Sequence, residues 1–232
     1  MTRDELLALI DQAAEEGWTE LDLSGQELIE LPPEIGKLTQ LETLTLGKVS
    51  EWKFVEGVLT PTLVSNKLAN LPLQISQLIK LKALNVSGNP LGEIPFFLSN
   101  IRSLTEFNAV SIGLREIPEV IGQLSNLTTL ELYNNQISEI PEVIGQLSNL
   151  TILWLYNNQI SEIPEVIGQL SNLTQLWLYN NQISEIPEVI GQLSNLTTLW
   201  LYNNQISEIP IGLESLPKLQ KLDLRRNLGS GK

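Results

Sequence analysis

Residues 153–174 read LWLYNNQISEIPEVIGQLSNLT, and residues 176–197 repeat the same letters. A third copy begins at Leu199. The period is 23 residues, and it is marked by leucines at the same point of successive copies: Leu127, Leu150, Leu173, Leu196 and Leu219. A fixed period of this length predicts stacked structural repeats, because one such unit is too short to bury its own apolar face.

The same period extends toward both ends of the chain. Eight full repeats begin at residues 18, 41, 81, 104, 127, 150, 173 and 196, and a partial ninth begins at 219. The step from 41 to 81 is 40 residues, which is one period plus 17 residues inserted at about 48–64. Residues 1–17 precede the array, and residues 228–232 form a tail.

Each repeat carries one signature, L-x-x-L-x-L-x-x-N-x-[LI]-x-x-[LI]-P-x-x-[IL]-x-x-[LI]. Its L-x-L part predicts a short strand with alternate side chains turned inward. Asn at the ninth place bends the chain, and its amide can bond backbone groups of neighbouring coils. Pro at the fifteenth place ends the extended run. Ile112 replaces this Asn in one repeat, so we expect a local kink or a loosened amide ladder there.

The signature covers residues 18–227 and resembles that of the leucine-rich repeat family, in its bacterial type with 23 residues per repeat. The resemblance implies an α/β solenoid: a right-handed coil with a parallel concave sheet and a mostly irregular or 3-10 convex side. Residues 1–48 also resemble the start of cyanobacterial leucine-rich repeat proteins, some of which continue into a ROCO-type GTPase. That second resemblance implies the regulatory or sensing arm of a larger enzyme.

The two ends of the array are predicted to differ. Residues 2–16 read as a capping helix, since Thr2 and Glu5 have capping-box spacing and Gly17 suits the left-handed C-terminal position. The other end shows no cap, which predicts an exposed strand edge. This suggests that further chain or a partner covers the edge, or that the protein self-associates there.

Composition excludes several kinds of chemistry. The 232 residues include no Cys and no His, which removes thiol nucleophiles, imidazole bases, disulfides and the usual zinc sites. The final GSGK is no phosphate loop, because Arg226 stands where that motif needs Gly. We therefore predict a non-catalytic protein with no catalytic residue, no metal and no cofactor.

Charge and hydropathy bear on partners and location. The net charge of −13 argues against nucleic acid or an anionic membrane as partner, since both need clustered Lys and Arg. The acidic start MTRDELLALIDQAAEEG is unlike a signal peptide. No apolar stretch approaches the ~18 residues of a membrane span. A cytoplasmic location is the expectation.

Aromatic residues recur at two places of the repeat. The fifth place, between the two core leucines of each strand, holds Glu131 and then Trp154, Trp177 and Trp200. The seventh place holds Tyr133, Tyr156, Tyr179 and Tyr202. Both places point away from the core, so we expect two columns of exposed rings on the concave face, with ~4.8 Å between strands.

Two interpretations of these columns stay open. Trp and Tyr dominate binding hot spots, which predicts a protein partner on the rings, with Glu131, Asn157 and Asn180 at their polar edge. Stacked rings also stabilise neighbouring strands without any ligand. Near-verbatim copies further fit an engineered or purely structural scaffold.

Two other features of the sequence could contact a partner. The insertion carries Trp52 and Phe54, either as a flap packed on adjacent coils or as a second contact for the partner. From Glu116 to Pro217 the chain has eleven Glu and no Lys, Arg or Asp. Nine of these Glu recur at places predicted to lie on the convex side, and we interpret them mainly as a solvated face that keeps the array soluble.

Overall fold

The strands form one parallel sheet, which runs along the whole repeat array. The computed structural model describes residues 1–55 and 58–228, with the side chains of all of these except 54, 55, 58 and 59. The described strands are β1 Glu20–Asp22, β2 Thr43–Val55, β3 Val58–Val64, β4 Ala83–Val86, β5 Glu106–Asn108, β6 Thr129–Glu131, β7 Ile152–Trp154, β8 Gln175–Trp177, β9 Thr198–Trp200 and β10 Lys221–Asp223. Their order is β1-β2-β4-β5-β6-β7-β8-β9-β10, and β3 pairs with β2.

Each strand is set in register with the same place of the next repeat. Leu130 lies opposite Leu153, which lies opposite Leu176, and all three are fully buried. Burying one such side chain stabilises the fold by about 1.5–3 kcal/mol. Because each coil contacts mainly its neighbours, stability accumulates along the array.

Short 3-10 helices line the convex side, as the sequence predicts. Those within the described residues span Pro33–Lys37, Leu73–Gln77, Phe96–Asn100, Glu119–Gln123, Glu142–Gln146, Glu165–Gln169 and Glu188–Gln192. Each is preceded by a proline, such as Pro141 with φ −75°. The ring fixes φ, so the chain turns from extended to helical at the same point of every repeat. The next repeat has the short helix α2, Ile211–Glu214, at this place.

Helix α1, Arg3–Glu16, covers the first coil. Thr2 and Glu5 form a reciprocal capping box, and Gly17 takes the left-handed C-cap position with φ 66°. Leu6 and Ile10 are buried against the first coil. No helix in the described parts of the chain is long and apolar enough to cross a membrane.

The ninth-place asparagines form a ladder of amides inside the turn after each strand. Asn158 donates through Nδ2 to the carbonyls of Leu132 (3.1 Å) and Leu155 (2.9 Å) and accepts from the Ile137 N–H (3.0 Å). Ile112 has no amide to offer, and the Leu91 N–H bonds the Asn89 carbonyl instead. One rung is therefore lost, while the strand register through β4, β5 and β6 continues.

The insertion is a β-hairpin that lies on the concave face. β2 continues beyond the sheet and pairs antiparallel with β3, from Lys48 opposite Val64 outward. Val49 and Leu63 pack against the apolar cluster that contains Val110 and Tyr133. The hairpin therefore covers the part of the concave face that precedes the aromatic columns.

Strand β10 lies at the C-terminal edge of the sheet. Its Leu222 is 44% exposed, whereas Leu199, at the same place one coil earlier, is fully buried. Among the described strands, β10 pairs with β9 alone. Self-association through this edge stays a prediction.

Candidate functional site

The tryptophans of the fifth place form a continuous stack across three strands. Trp154 and Trp177 lie with ring centroids 4.1 Å apart, and Trp177 and Trp200 with centroids 4.3 Å apart. Interplanar angles are 10° and 22°. We call these three residues the tryptophan column. All three are half-buried and lie on the concave face.

The tyrosines of the seventh place form a second stack beside the first, which we call the tyrosine column. Its centroid spacings are 4.2, 4.3 and 4.4 Å from Tyr133 through Tyr156 and Tyr179 to Tyr202. Interplanar angles are 11–12°. The two columns also touch each other, since Tyr156 and Trp177 have centroids 6.0 Å apart.

The expectation that the tyrosine rings are exposed is wrong for three of the four. Tyr133, Tyr156 and Tyr179 are 1%, 0% and 5% exposed. Neighbouring tyrosines cover the ring faces and the tryptophan column covers one side, while Tyr202, at the end, is half-exposed. Burial raises the pKa of Tyr133, Tyr156 and Tyr179 well above that of an ordinary tyrosine, so their hydroxyls stay neutral.

Stacking decides which parts of the tryptophans a partner can reach. The two ring faces of Trp177 lie against Trp154 and Trp200. The Nε1 atoms of Trp154 and Trp177 are buried and make no hydrogen bond within the described residues. The exposed side-chain area of Trp154 and Trp177 is therefore apolar, and that of Trp177 consists of ring edges.

Charged side chains terminate both columns. Glu131 precedes Trp154 in register, and Asp223 follows Trp200. Arg225 follows the tyrosine column and donates to Asp223 through Nε (2.9 Å) and Nη2 (2.6 Å), which lowers the pKa of Asp223. Burial, with a smaller contribution from the charge of Glu106, raises the pKa of Glu131 from 4.5 to about 7.

A ladder of amides runs beside the tyrosine column. Asn157 donates to Asn134 (2.6 Å), Asn180 to Asn157 (2.6 Å) and Asn203 to Asn180 (2.8 Å). All four have φ between 54° and 57°, a left-handed conformation that Asn adopts more readily than most residues. The structure thus brings the predicted residues Asn157 and Asn180 to the border of the aromatic columns, already bonded to each other.

Trp52 of the hairpin reaches the start of the tyrosine column. Its ring lies 5.7 Å from that of Tyr133, with 31° between the planes, and the residue is 40% exposed. Of the two interpretations of the insertion, the contact agrees with a flap in which Trp52 packs on an adjacent coil. The side chain of Phe54 lies outside the described residues, so its predicted contact with a partner stays a prediction.

Sequence reasoning missed Glu106 and Asn108 on β5. Asn108 is only 7% exposed and lies in register beside Glu131, and its Nδ2 donates to Glu106 Oε1 (2.8 Å). The signal was available, because Asn108 stands at the fifth place, one repeat before Glu131. The burial of Asn108 could not be predicted from the sequence, since it depends on the packing of the folded chain.

The remaining acidic side chains are spread over the opposite side. Glu139, Glu162 and Glu185 are exposed, and so are Glu142, Glu165 and Glu188 next to or within the 3-10 helices. In the described parts of the chain, no three Asp, Glu, His or Cys side chains converge in a way that could hold a metal ion.

Solved structures with this architecture include bacterial internalins and plant receptors. Internalin C2 from Listeria monocytogenes is 25% identical, with a TM-score of 0.77 over 94% of this chain and 92% of that chain. The ectodomain of the Arabidopsis thaliana receptor kinase GASSHO1/SCHENGEN3, in complex with CASPARIAN STRIP INTEGRITY FACTOR 2, is 29% identical, with a TM-score of 0.64 over 85% of this chain. This chain covers 23% of that ectodomain.

A second plant receptor is similar to this chain in structure. The Arabidopsis receptor kinase HAESA, in complex with the peptide hormone IDA and the co-receptor SERK1, is 26% identical, with a TM-score of 0.69. The match covers 85% of this chain and 32% of that one. No curated protein matches the chain in sequence.

Family models match the repeats directly. The model of the leucine-rich repeat region matches residues 107–180 and 152–230, and a leucine-rich repeat model matches residues 80–101. The first of these alone spans more than half of the chain. With the parallel sheet, the 3-10 convex side and the solved relatives, this shows that the chain is a member of the leucine-rich repeat family.

Proposed function

We propose that the chain is a non-catalytic protein-binding module whose partner docks along the tryptophan column. One observation carries the proposal: the exposed side-chain area of Trp154 and Trp177 is an apolar band on the concave face. Glu131 is the one charged residue at the fifth and seventh places from residue 127 to 203. Rigid apolar area with few charges is typical of the centre of a binding interface.

The relatives support this reading in general terms. The leucine-rich repeat ectodomain of GASSHO1/SCHENGEN3 was solved in complex with CASPARIAN STRIP INTEGRITY FACTOR 2, and HAESA in complex with a peptide hormone and a co-receptor. In this chain we assign the direct contacts to the tryptophan column, Tyr202 and Glu131. Tyr133, Tyr156 and Tyr179 support these contacts from below, and Asn157 and Asn180 border them.

A binding experiment with matched variants tests the proposal. Binders are selected from a displayed library of fragments of the source genome. Their affinity is then measured by calorimetry for the native chain and for a triple variant with Trp154, Trp177 and Trp200 replaced by Thr. The chain already accommodates Thr at this place, as Thr45. A control variant replaces Glu139, Glu162 and Glu185 on the other side with Gln.

We expect the triple variant to lose about 100-fold or more in affinity, because each anchor of this kind contributes about 1 kcal/mol or more. The control should bind as the native chain does. Equal affinity of the triple variant, with its fold retained by circular dichroism, would contradict the proposal.

A structural scaffold is the second candidate. It is favoured by the deep burial of Tyr133, Tyr156 and Tyr179, because stacked rings contribute about 0.5–1.5 kcal/mol per pair without a ligand. The same variants separate the two candidates, since a scaffold predicts lost stability with no selected binder that depends on the tryptophans.

Two further expectations stay proposals. The regulatory arm of a ROCO-type GTPase rests on the resemblance of residues 1–48 alone, and the gene sequence following codon 232 tests it. The cytoplasmic location rests on the acidic N-terminal segment, and fractionation of the source cells tests it.

A further inference from the structure

A polar cluster lies at the N-terminal end of the tryptophan column. Glu106 and Asn108 belong to β5, and Glu131 lies in register beside Asn108 on β6. Asn108 Nδ2 donates to Glu106 Oε1 (2.8 Å). Asn108 is 7% exposed, yet its Oδ1 atom has no hydrogen-bond partner among the described residues. Buried acceptors are rarely left unpaired, because each costs about 1–3 kcal/mol.

The cluster also carries negative charge that nothing in the described residues neutralises. No Lys or Arg of those residues forms an ion pair with Glu106 or Glu131. The nearby lysines of the hairpin are engaged elsewhere, Lys48 with Asp22 and Lys53 with Glu51. A cation with hydrogen-bond donors therefore fits the charge of this cluster.

Trp154 adds an aromatic face to the same place. One face of its indole lies on Trp177, and the residue in register on its other side is Glu131. Trp154 is thus the one member of the column with a face turned toward the carboxylates. The face of an indole attracts Lys and Arg side chains, more strongly when they are partly desolvated.

We propose that Glu106, Asn108, Glu131 and Trp154 form a binding site for one cationic side chain, a lysine or arginine, of the partner protein. The proposal rests on the proposed function, since the site lies at the end of the tryptophan column. An ammonium or guanidinium group supplies donors to the two carboxylates, while buried Asn108 holds Glu106 in place through Nδ2, and the charge-assisted bonds are about twice as strong as neutral ones. Its aliphatic stem lies along Trp154.

Proton binding competes with this cation. When Glu131 is protonated, its O–H can donate to the buried Asn108 Oδ1, and the carboxylate charge that holds the cation is lost. The charged or titratable groups beside Glu131 are Glu106 on β5 and Tyr133 on its own strand, while β7 contributes none. Because Glu131 has a pKa of about 7, roughly nine-tenths of it is ionised at pH 8 and one-tenth at pH 6. The cation should therefore bind about tenfold more weakly at pH 6.

The test uses the whole chain with ¹³C-labelled glutamate and follows the carboxyl carbons by NMR. N-acetyl-arginine amide and N-acetyl-lysine amide are the probes, and N-acetyl-citrulline amide is the neutral control. Glu131→Gln removes the charge and keeps the shape of the protonated carboxyl, so it should fold. Glu162→Gln on the opposite side is the matched control variant.

We expect saturable shifts of the Glu131 carbon with at least one cationic probe, about tenfold weaker binding at pH 6 than at pH 8, and no shift with citrulline amide. Binding should be lost in Glu131→Gln and kept in Glu162→Gln. Equal shifts from citrulline amide, affinity that does not change with pH, or calcium binding at Glu131 without binding of either cationic probe would overturn the inference.

This outcome is separate from that of the proposed function, because the titration needs no partner. If a partner binds through the tryptophans while neither cationic probe binds, the inference fails alone. If a cationic probe binds while no selected binder depends on the tryptophans, the proposed function fails alone.

Discussion

The indole of Trp154 lies on that of Trp177 with 4.1 Å between ring centroids and 10° between planes. This contact uses ring faces within the protein and leaves ring edges for the outside. The concave face therefore offers a partner a rigid apolar band, with a free indole face only where the column ends. Stability and recognition depend here on the same residues, and single substitutions separate the two effects.

Replacing Trp177 by Ala should destabilise the chain by about 2–4 kcal/mol. The middle ring contacts a tryptophan on each side and is half-buried. Trp200→Ala breaks one indole stack, so it should cost about 1 kcal/mol less. Urea unfolding followed by circular dichroism measures both. Equal losses would show that stacking between the rings contributes nothing beyond burial.

Replacing Tyr156 by Phe should leave the stability unchanged or raise it by about 1 kcal/mol. The Tyr156 hydroxyl is buried and makes no hydrogen bond within the described residues, so folding strips its water without compensation. Tyr202→Phe, at the half-exposed end of the column, is the control and should be neutral. A loss above about 1 kcal/mol for Tyr156→Phe would mean that its hydroxyl is bonded to those of the neighbouring tyrosines.

Replacing Glu131 by Gln should stabilise the chain at pH 8 and have little effect near pH 4. The pKa of Glu131 is about 7 in the folded chain and near 4.5 when the group is solvated. Folding therefore disfavours the ionised form, and native stability falls as pH rises from about 4.5 to 7 and then levels off.

The difference between these two pKa values corresponds to at most about 3 kcal/mol. The measurement is urea unfolding of the native chain and of Glu131→Gln across this pH range. A gain from Glu131→Gln that is the same at pH 4 and pH 8 would contradict the assignment of this titration to Glu131.

Deleting residues 48–64 should leave the solenoid folded. Joining Gly47 to Ser65 restores a 23-residue repeat, because Asn66 then stands at the ninth place, where it already bonds the Leu23 and Leu46 carbonyls. Without Trp52, Val49 and Leu63, Tyr133 should become accessible. Tetranitromethane should then nitrate it, as mass spectrometry can show.

Tyr202 serves as the internal control in that experiment, since it is half-exposed and should react with and without the hairpin. Tyr156 should stay unreactive in both, because its neighbours remain in place. An unreactive Tyr133 in the deleted chain would mean that the hairpin does not cover the tyrosine column.

The repeats themselves could be predicted from the sequence, because strand, turn and 3-10 segment are set by letters that recur at fixed places. The amide ladder through Asn158 and its lost rung at Ile112 follow from the same pattern. The burial of Tyr133 could not be predicted in this way. It depends on ring stacking between coils and on a hairpin that folds back onto the sheet.

The cluster around Asn108 shows the same limit. Its place in the repeat was readable, and β-strand periodicity puts it on the concave face. Whether a fifth-place residue is exposed or buried depends on its neighbours. One neighbour of Asn108 is the acidic Glu131, whereas the later repeats have Trp at that place. Periodicity fixes where a side chain points, whereas its hydrogen bonds and charge balance come from tertiary packing.

The most direct test of the central claim is ¹⁹F NMR of the chain labelled with 5-fluorotryptophan, titrated with a selected binder. The chain has five tryptophans, and Trp18 lies at the first coil, where its Nε1 donates to Glu16. If the tryptophan column is the binding surface, the signals of Trp154, Trp177 and Trp200 should shift while that of Trp18 stays fixed. Saturable binding that leaves these three signals in place would contradict the claim.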